Sequence, residues 1–286
     1  RDRRPPASRA RASSHLSKSA MVKRGREVAT VRIAYKEPRV MAEIGCNHMG
    51  DFEIAKELLT LAKQSGADFG KFQKRNPKEL LTAEQFEAPH PNPRNAYGDT
   101  YGAHREYLEL TVDQHRELKK VLRDEYNGDV HISTGMTTLD EIEKIVLFWE
   151  EGKGRAKDRL VLYNCTSGYP VPFDNVCLLE LRQLHDKYVD RVQAIGFSGH
   201  HLGIAIDVAA YAMGATWNER HFTKDRTWKG TDHAASLEPA GLQKLCRDLK
   251  AAWKCMTYKA EEILPIEKEQ RAKLKWGCYN AAEVKK

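Results

Sequence analysis

The sequence predicts an α/β protein built on a parallel sheet with helices outside it. Two observations predict this class. From Val31 almost to the C-terminus, short apolar runs alternate with segments of helical periodicity. In such an alternation each helix carries the chain back to start the next strand in the same direction. Six βα units can be counted.

The elements follow in order. Residues 40–45 (VMAEIG) are the first strand, and in 52–66 Ile54, Leu58, Leu59 and Leu61 recur at helical spacing. Residues 67–73 (ADFGKFQ) are the second strand, and a polar, proline-broken stretch runs from 77 to 99. A helix is expected over 111–126, then a strand at 129–133 (DVHIS) and a helix over 139–150 started by the Thr138 cap. Residues 159–165 (RLVLYNC) read as a strand, 175–188 as a helix, 193–198 (QAIGFS) as a strand and 204–213 as a helix closed by Gly214. The last unit is a strand at 216–221 and a helix over 239–253 entered through Glu238 and Pro239.

Composition narrows the function classes. Hydrophobic residues at 41% and charged residues at 30% fit an ordinary globular protein with a sizeable core. No window approaches about 18 uninterrupted apolar residues, which excludes a membrane-spanning helix. The net charge of +7 is unevenly distributed. Residues 1–26 hold nine basic residues and one acid, whereas the other 260 hold 38 basic and 39 acidic groups. The body is therefore neutral, and the basicity is an appendage. Residues 1–30 are expected to be a disordered basic leader, rich in Arg, Ser, Ala and Pro. An organellar transit peptide, an upstream translation preceding Met21 and a phosphate-binding arm all fit its composition. Aromatic residues are not interleaved with its charges, which argues against a nucleic-acid partner. The six cysteines form no CxxC pair, so reduced thiols in a cytoplasmic compartment are expected.

In β/α folds the reactive groups lie at the C-terminal ends of the strands. Those ends carry Glu43 with Asn47 and His48, Lys71, Ser133-Thr134-Gly135, Thr166-Ser167 with Tyr169, Ser198-Gly199-His200, and His221. Lys71, Ser133, Ser167 and Ser198 are an ammonium and small hydroxyls, the groups that hold a phosphate. His200 and His221 end consecutive strands, so two imidazoles can converge on one divalent ion that keeps open positions for water and substrate oxygen. Each residue also has a plainer reading. Strand-end Ser and Thr cap helices, a strand-end His can be structural, Lys71 can be a solvated charge, and Glu43 can partner a nearby base. The residues alone point to a metal-assisted enzyme acting on a phosphate-bearing substrate.

Six motifs, AEIGCNHMGD (42–51), KFQK (71–74), STGM (133–136), CTSGYP (165–170), GFSGH (196–200) and ERHFTKDRTWKGTDHAASLEP (219–239), resemble the sialic acid synthase family. The resemblance runs from about Val40 to Trp253. It implies a TIM-type β/α barrel and condensation of phosphoenolpyruvate with N-acetylmannosamine or its 6-phosphate, giving a sialic acid and phosphate. His200 and His221 would bind the divalent metal, Mn²⁺ first with Mg²⁺ or Co²⁺ as alternatives, and Glu219 would support the second histidine. Lys71, Ser133, Ser167 and Ser198 match positions that hold phosphoenolpyruvate, and Glu43, Tyr169 and Asp232 match positions that hold the amino sugar. Glu43, His200 and His221 are the expected catalytic residues. Legionaminic- or pseudaminic-type acids are alternative products.

Two departures accompany the resemblance. The barrel needs eight βα units and six are present, the break falling near 123–130 within the domain 31–257. A defective gene model or splice product, pairing of the gap with another subunit in a homodimer, and a non-catalytic remnant that keeps metal and phosphoenolpyruvate binding each account for such a loss. Many relatives also continue into an antifreeze-protein-like domain, for which the tail 258–286 is too short. That tail reads as a charged helix over 266–275 with a short extension.

Overall fold

The computed structural model describes residues 35–121, 128–152 and 155–275. The expected leader and the end of the tail lie outside these residues, as does most of the expected break. Among the described residues six strands form one sheet: β1 (Arg39–Gly45), β2 (Phe69–Phe72), β3 (Val130–Ser133), β4 (Leu160–Cys165), β5 (Ala194–Gly199) and β6 (Trp217–His221). All neighbours are parallel, in the order β2-β1-β6-β5-β4-β3. The first and last strands in the chain are thus partners, with Glu43 opposite His221. β1 is buried along its length except at Arg39, because a parallel strand is covered on both faces.

The sheet is an incomplete TIM-type barrel, and an aromatic contact spans its hollow. Trp217 in central β6 packs against Phe69 of edge strand β2, with ring centroids 5.1 Å apart, and against His131 of edge strand β3 at 4.6 Å. One indole therefore touches both edge strands. Met41, Val161 and Tyr163 complete the inner core, and the Tyr163 hydroxyl lies 2.9 Å from His131 Nδ1. Between the edges lies a cavity of about 1480 Å³, lined by Phe69, Gly70 and Lys71 on one side and Val130 and His131 on the other. A closed barrel would place two further strands across this gap.

Helices cover the outside. Helix α1 (Phe52–Gln64) is capped by Asp51, whose side chain accepts from the Glu53 and Ile54 amides. The stretch expected to be irregular, 77–99, contains short helices α2 (Pro77–Leu80) and α3 (Ala83–Glu87) and a single turn at Pro93–Asn95, and α4 (Tyr101–Tyr107) follows it. Asn76, Thr82, Asn92 and Thr100 precede these four elements, and the last three each accept from a backbone amide of the element they start. Helix α5 (Val112–Val121) begins where expected, and the rest of 111–126 lies outside the described residues. Helix α6 (Leu139–Glu151) starts with the anticipated Thr138 cap, completed by Glu141 into a capping box. After α7 (Ala156–Arg159) comes the main departure. The helix expected over 175–188 is shortened to a turn at Phe173–Asn175 followed by α8 (Leu179–Tyr188). Cys177, at φ 49°, is left-handed, and a right-handed helix cannot run through it. Helix α9 (Ala205–Ala212) ends before Gly214, whose φ of +112° suits glycine. Helices α10 (Pro239–Cys255) and α11 (Pro265–Leu274) are the last described elements. Among the described residues no helix is long and apolar enough to cross a membrane.

A buried charge network ties β6 to the loop that follows β5. Arg220, 1% exposed, donates to Asp207 Oδ2 at 2.7 Å, to the Gly203 carbonyl at 2.7 Å and to the His201 carbonyl at 2.6 Å. Strand alternation sends Glu219 and His221 to one face and Arg220 to the other. Asp207→Ala would leave the guanidinium buried without its acid, and a loss of about 3–5 kcal/mol is expected from urea unfolding.

Buried imidazoles add a pH dependence. Burial is the chief cause that pushes His48 and His104 down to about 4, from an ordinary value near 6.5. The unfolded chain therefore binds more protons than the native one at mildly acidic pH. Stability is expected to fall as pH drops from about 6.5 towards 4, read as a lower urea midpoint at pH 5 than at pH 7.

Candidate active site

The site begins with strand alternation. Glu43, Lys71, Ser198, Glu219 and His221 stand near the C-terminal ends of four adjacent strands and face the inside of the curl. Lys71 Nζ lies 2.8 Å from Glu219 Oε2 and 3.1 Å from Glu43 Oε2. Ser198 donates to Glu219 Oε1 at 3.0 Å, and Gln73 Nε2 donates to Glu43 Oε1 at 2.9 Å. Two buried carboxylates thus share one ammonium. Burial raises both acids, but they settle differently. Glu219 has the shorter Lys71 contact and the Ser198 hydrogen bond, and is held below the usual carboxylate range. Burial and the neighbouring Glu219 charge outweigh Lys71 at Glu43, which is pushed up to about 7. Desolvation opposes the Lys71 charge, yet the two carboxylates overcome it and hold the ammonium above its ordinary value.

His200 and His221 come together as expected, with ring centroids 5.2 Å apart. His200 Nδ1 lies 2.9 Å from the Thr166 carbonyl, an acceptor, so Nδ1 carries the proton and Nε2 keeps its lone pair. His221 Nδ1 is buried without a hydrogen-bond partner and lies 3.9 Å from Asp232 Oδ2. Burial lowers both histidines, His221 to about 4, so both rings are neutral near pH 7. Neutral imidazoles, one with a directed lone pair and one with an orphaned nitrogen, suit a divalent cation. Among the described residues no group of three or more His, Cys, Asp or Glu is arranged to hold a metal, so a bound ion would depend on water or substrate for its other positions.

Tyr169 packs on both rings, with centroids 4.3 Å from His200 and 5.5 Å from His221. Ser133 and Ser167 gather around Gly135. A Cβ there would stand 2.5 Å from Ser167 Oγ and 3.6 Å from Ser133 Oγ, so glycine keeps this cradle open. The Ser133 hydroxyl accepts from the Gly135 amide at 3.3 Å. Every sequence-predicted site residue therefore lies in one contiguous group.

Sequence reasoning missed two members. Cys165 Sγ lies 3.9 Å from His200 Nδ1, and burial raises its thiol pKa while the neighbouring Ser133 and Ser198 hydroxyls oppose that rise. Gln73, inside the quoted KFQK motif, is the Glu43 partner. Period-two spacing from Lys71 would have found Gln73, whereas nothing in the sequence separates Cys165 from an ordinary buried thiol. Glu219, expected to support His221, instead pairs with Lys71 and Ser198.

Known proteins resemble this chain in sequence and fold. The NeuB family profile matches residues 58–126 and 123–261. The chain is 32% identical to human N-acetylneuraminate-9-phosphate synthase, over 86% of this chain and 78% of that protein. It is 31% identical to the N,N'-diacetyllegionaminic acid synthase of Campylobacter jejuni, over 77% of this chain and 78% of the relative. Among solved structures, the N-acetylneuraminic acid synthetase of Leptospira borgpetersenii, in complex with citrate, superposes with a TM-score of 0.66 at 25% identity, covering 84% of this chain and 93% of the other. With six strands of the barrel, the strand-end residues in one group and these relatives, the chain belongs to the NeuB family of nonulosonic acid synthases.

Proposed function

We propose that this chain condenses phosphoenolpyruvate with N-acetylmannosamine, or its 6-phosphate, to give a sialic acid and inorganic phosphate. The observation that carries the reading is the neutral pair His200 and His221 standing beside the Lys71, Ser198 and Glu219 network on one end of the sheet. Lys71 with Ser133, Ser167 and Ser198 would hold the phosphate and carboxylate of phosphoenolpyruvate. Glu43, Tyr169 and Asp232 would hold the amino sugar. His200 and His221 would hold a divalent ion, Mn²⁺ first, which when bound supplies a Lewis acid to the aldehyde of the open-chain sugar.

The rest is alignment and charge. C3 of phosphoenolpyruvate forms the new carbon–carbon bond to the aldehyde carbon, water adds at C2, and phosphate departs with cleavage of the C2–O bond. An enol ether is a weak carbon nucleophile, so both reactants need fixed positions. Lys71 is already held as a cation, and an arriving phosphate would compete with Glu43 and Glu219 for it. Glu43, whose pKa is raised to about 7, would be able to give or take a proton at an oxygen of a sugar bound beside it. The tricarboxylate in the Leptospira relative is consistent with an anion site in this family.

A specific observation favours a second reading, a barrel remnant that binds without turnover. The cavity between β2 and β3 reaches Lys71, so water has access from the open side. One assay separates the two. Phosphate release is expected from phosphoenolpyruvate, N-acetylmannosamine or its 6-phosphate, and Mn²⁺. Absence of release from a folded, Mn²⁺-loaded sample would refute the synthase reading. His200→Ala and His221→Ala are each expected to cut turnover by at least about 100-fold while leaving the far-ultraviolet dichroism unchanged. Retained turnover in both would refute the metal assignment.

A further inference from the structure

Among the described residues, three cations on the rim of the site form no ion pair with an acid. Arg75 follows β2, Arg105 lies on α4, and Lys229 lies in the loop after β6. Nearby lysines are matched: Lys74 by Glu109 at 2.7 Å, Lys78 by Glu106 at 3.2 Å and Lys224 by Glu57 at 2.7 Å. Arg75 instead donates to the Gln73 amide oxygen, and Arg105 donates from Nε to the Tyr101 hydroxyl at 3.0 Å while lying over that ring at 4.9 Å. Lys229 Nζ stands 4.7 Å over the Tyr97 ring, and the Tyr97 hydroxyl donates to the Lys229 carbonyl. Neutral groups thus aim all three cations. Both arginines are half-buried.

The three come from different segments yet share neighbours. Arg75 and Arg105 both act on the Cys46 thiol, just beyond β1, as does the Asp232 carboxylate. Arg105 and Lys229 both oppose protonation of His104. A relay of hydrogen bonds runs from Arg75 through Gln73 to Glu43. The cations therefore lie on the side of Glu43 and Asp232, the residues assigned to the amino sugar. Guanidiniums held by neutral groups rather than by acids can still pair with an anion, and the planar guanidinium fork matches phosphate oxygens.

We propose that Arg75, Arg105 and Lys229 form a subsite for a phosphate monoester at the far end of the sugar, so that the chain selects the 6-phosphorylated amino sugar over the free one. This selection rests on the synthase reading of the site, whereas the anion subsite itself is testable by binding alone.

The test is calorimetry on the full chain with Mn²⁺, titrating N-acetylmannosamine 6-phosphate, N-acetylmannosamine, phosphoenolpyruvate and inorganic phosphate separately. The phosphorylated sugar is expected to bind at least about 10-fold more tightly than the free sugar, and Arg75→Met and Arg105→Met are each expected to erase about that factor. Arg75→Gln and Lys229→Met serve as further variants, and melting temperatures identify any that misfold. Equal affinity for the two sugars overturns the proposal. So does an equal loss for both sugars in the variants, which marks a structural role. A matching loss for phosphoenolpyruvate assigns the cations to the other substrate, and inorganic phosphate binding as tightly as the phosphorylated sugar leaves only a nonspecific anion site. Each of these also overturns it. Phosphate release with both sugars separates the two levels. Tight, arginine-dependent binding without turnover refutes the synthase reading and leaves the subsite, whereas turnover that favours the free sugar refutes the subsite alone.

Discussion

The contact on which the architecture turns is the indole of Trp217, held between Phe69 of one sheet edge and His131 of the other. A parallel sheet coils through the twist of its strands, but with six strands the ring closure by hydrogen bonding that fixes the curl of an eight-stranded barrel is missing. Here side-chain packing in the hollow takes that role. The curl brings the C-terminal ends of β1, β2, β5 and β6 to one mouth, and with them Glu43, Lys71, Ser198 and His221. The chemistry at the top of the sheet therefore depends on an aromatic contact nearer its base.

Electrostatics at the mouth are deliberately unbalanced. Two carboxylates with one ammonium form a group in which a proton on Glu43 is nearly as favourable as its absence. Two neutral imidazoles stand beside it, and burial rather than any single neighbour keeps them neutral. Behind this face, Arg220 and Asp207 lock the backbone that carries His201 and Gly203, immediately after His200. The same strand thus presents a functional face inward and a structural ion pair outward.

Much of this was legible in the sequence. Strand cores were visible because apolar β-runs such as LVLYNC are bounded by turn residues, and every strand falls within two residues of its expected limits. The incomplete barrel was legible too, from motif order rather than composition, and the two edges of the sheet are the strands on either side of the missing units. Local signals failed where backbone conformation overrode them. Cys177 carries no turn signature, yet its left-handed conformation ends a helical pattern that would otherwise run through it. The polar stretch after β2 read as loop because its helices are each shorter than two turns and too brief to show a period. Partnerships across the site were invisible for another reason. The choice of Glu219 by Lys71 links residues 148 apart, and no pattern in the chain reports a pairing of that span.

The adjacency of β1 and β6 also bears on how the chain acquires its structure. Glu43 and His221 face each other across the sheet, although nearly the whole folded region separates them in sequence. Strand β1 leaves the ribosome early but receives its second hydrogen-bonded neighbour only after β6 has been made. Until then its apolar edge is exposed, and only the β1–α1–β2 unit is available to shelter it. A topology with so non-local a central pairing folds slowly, because the loop must close before the contact rewards it. Synthesis thus holds the sheet open until its last strand emerges, and the mouth of the site is assembled in the same late step.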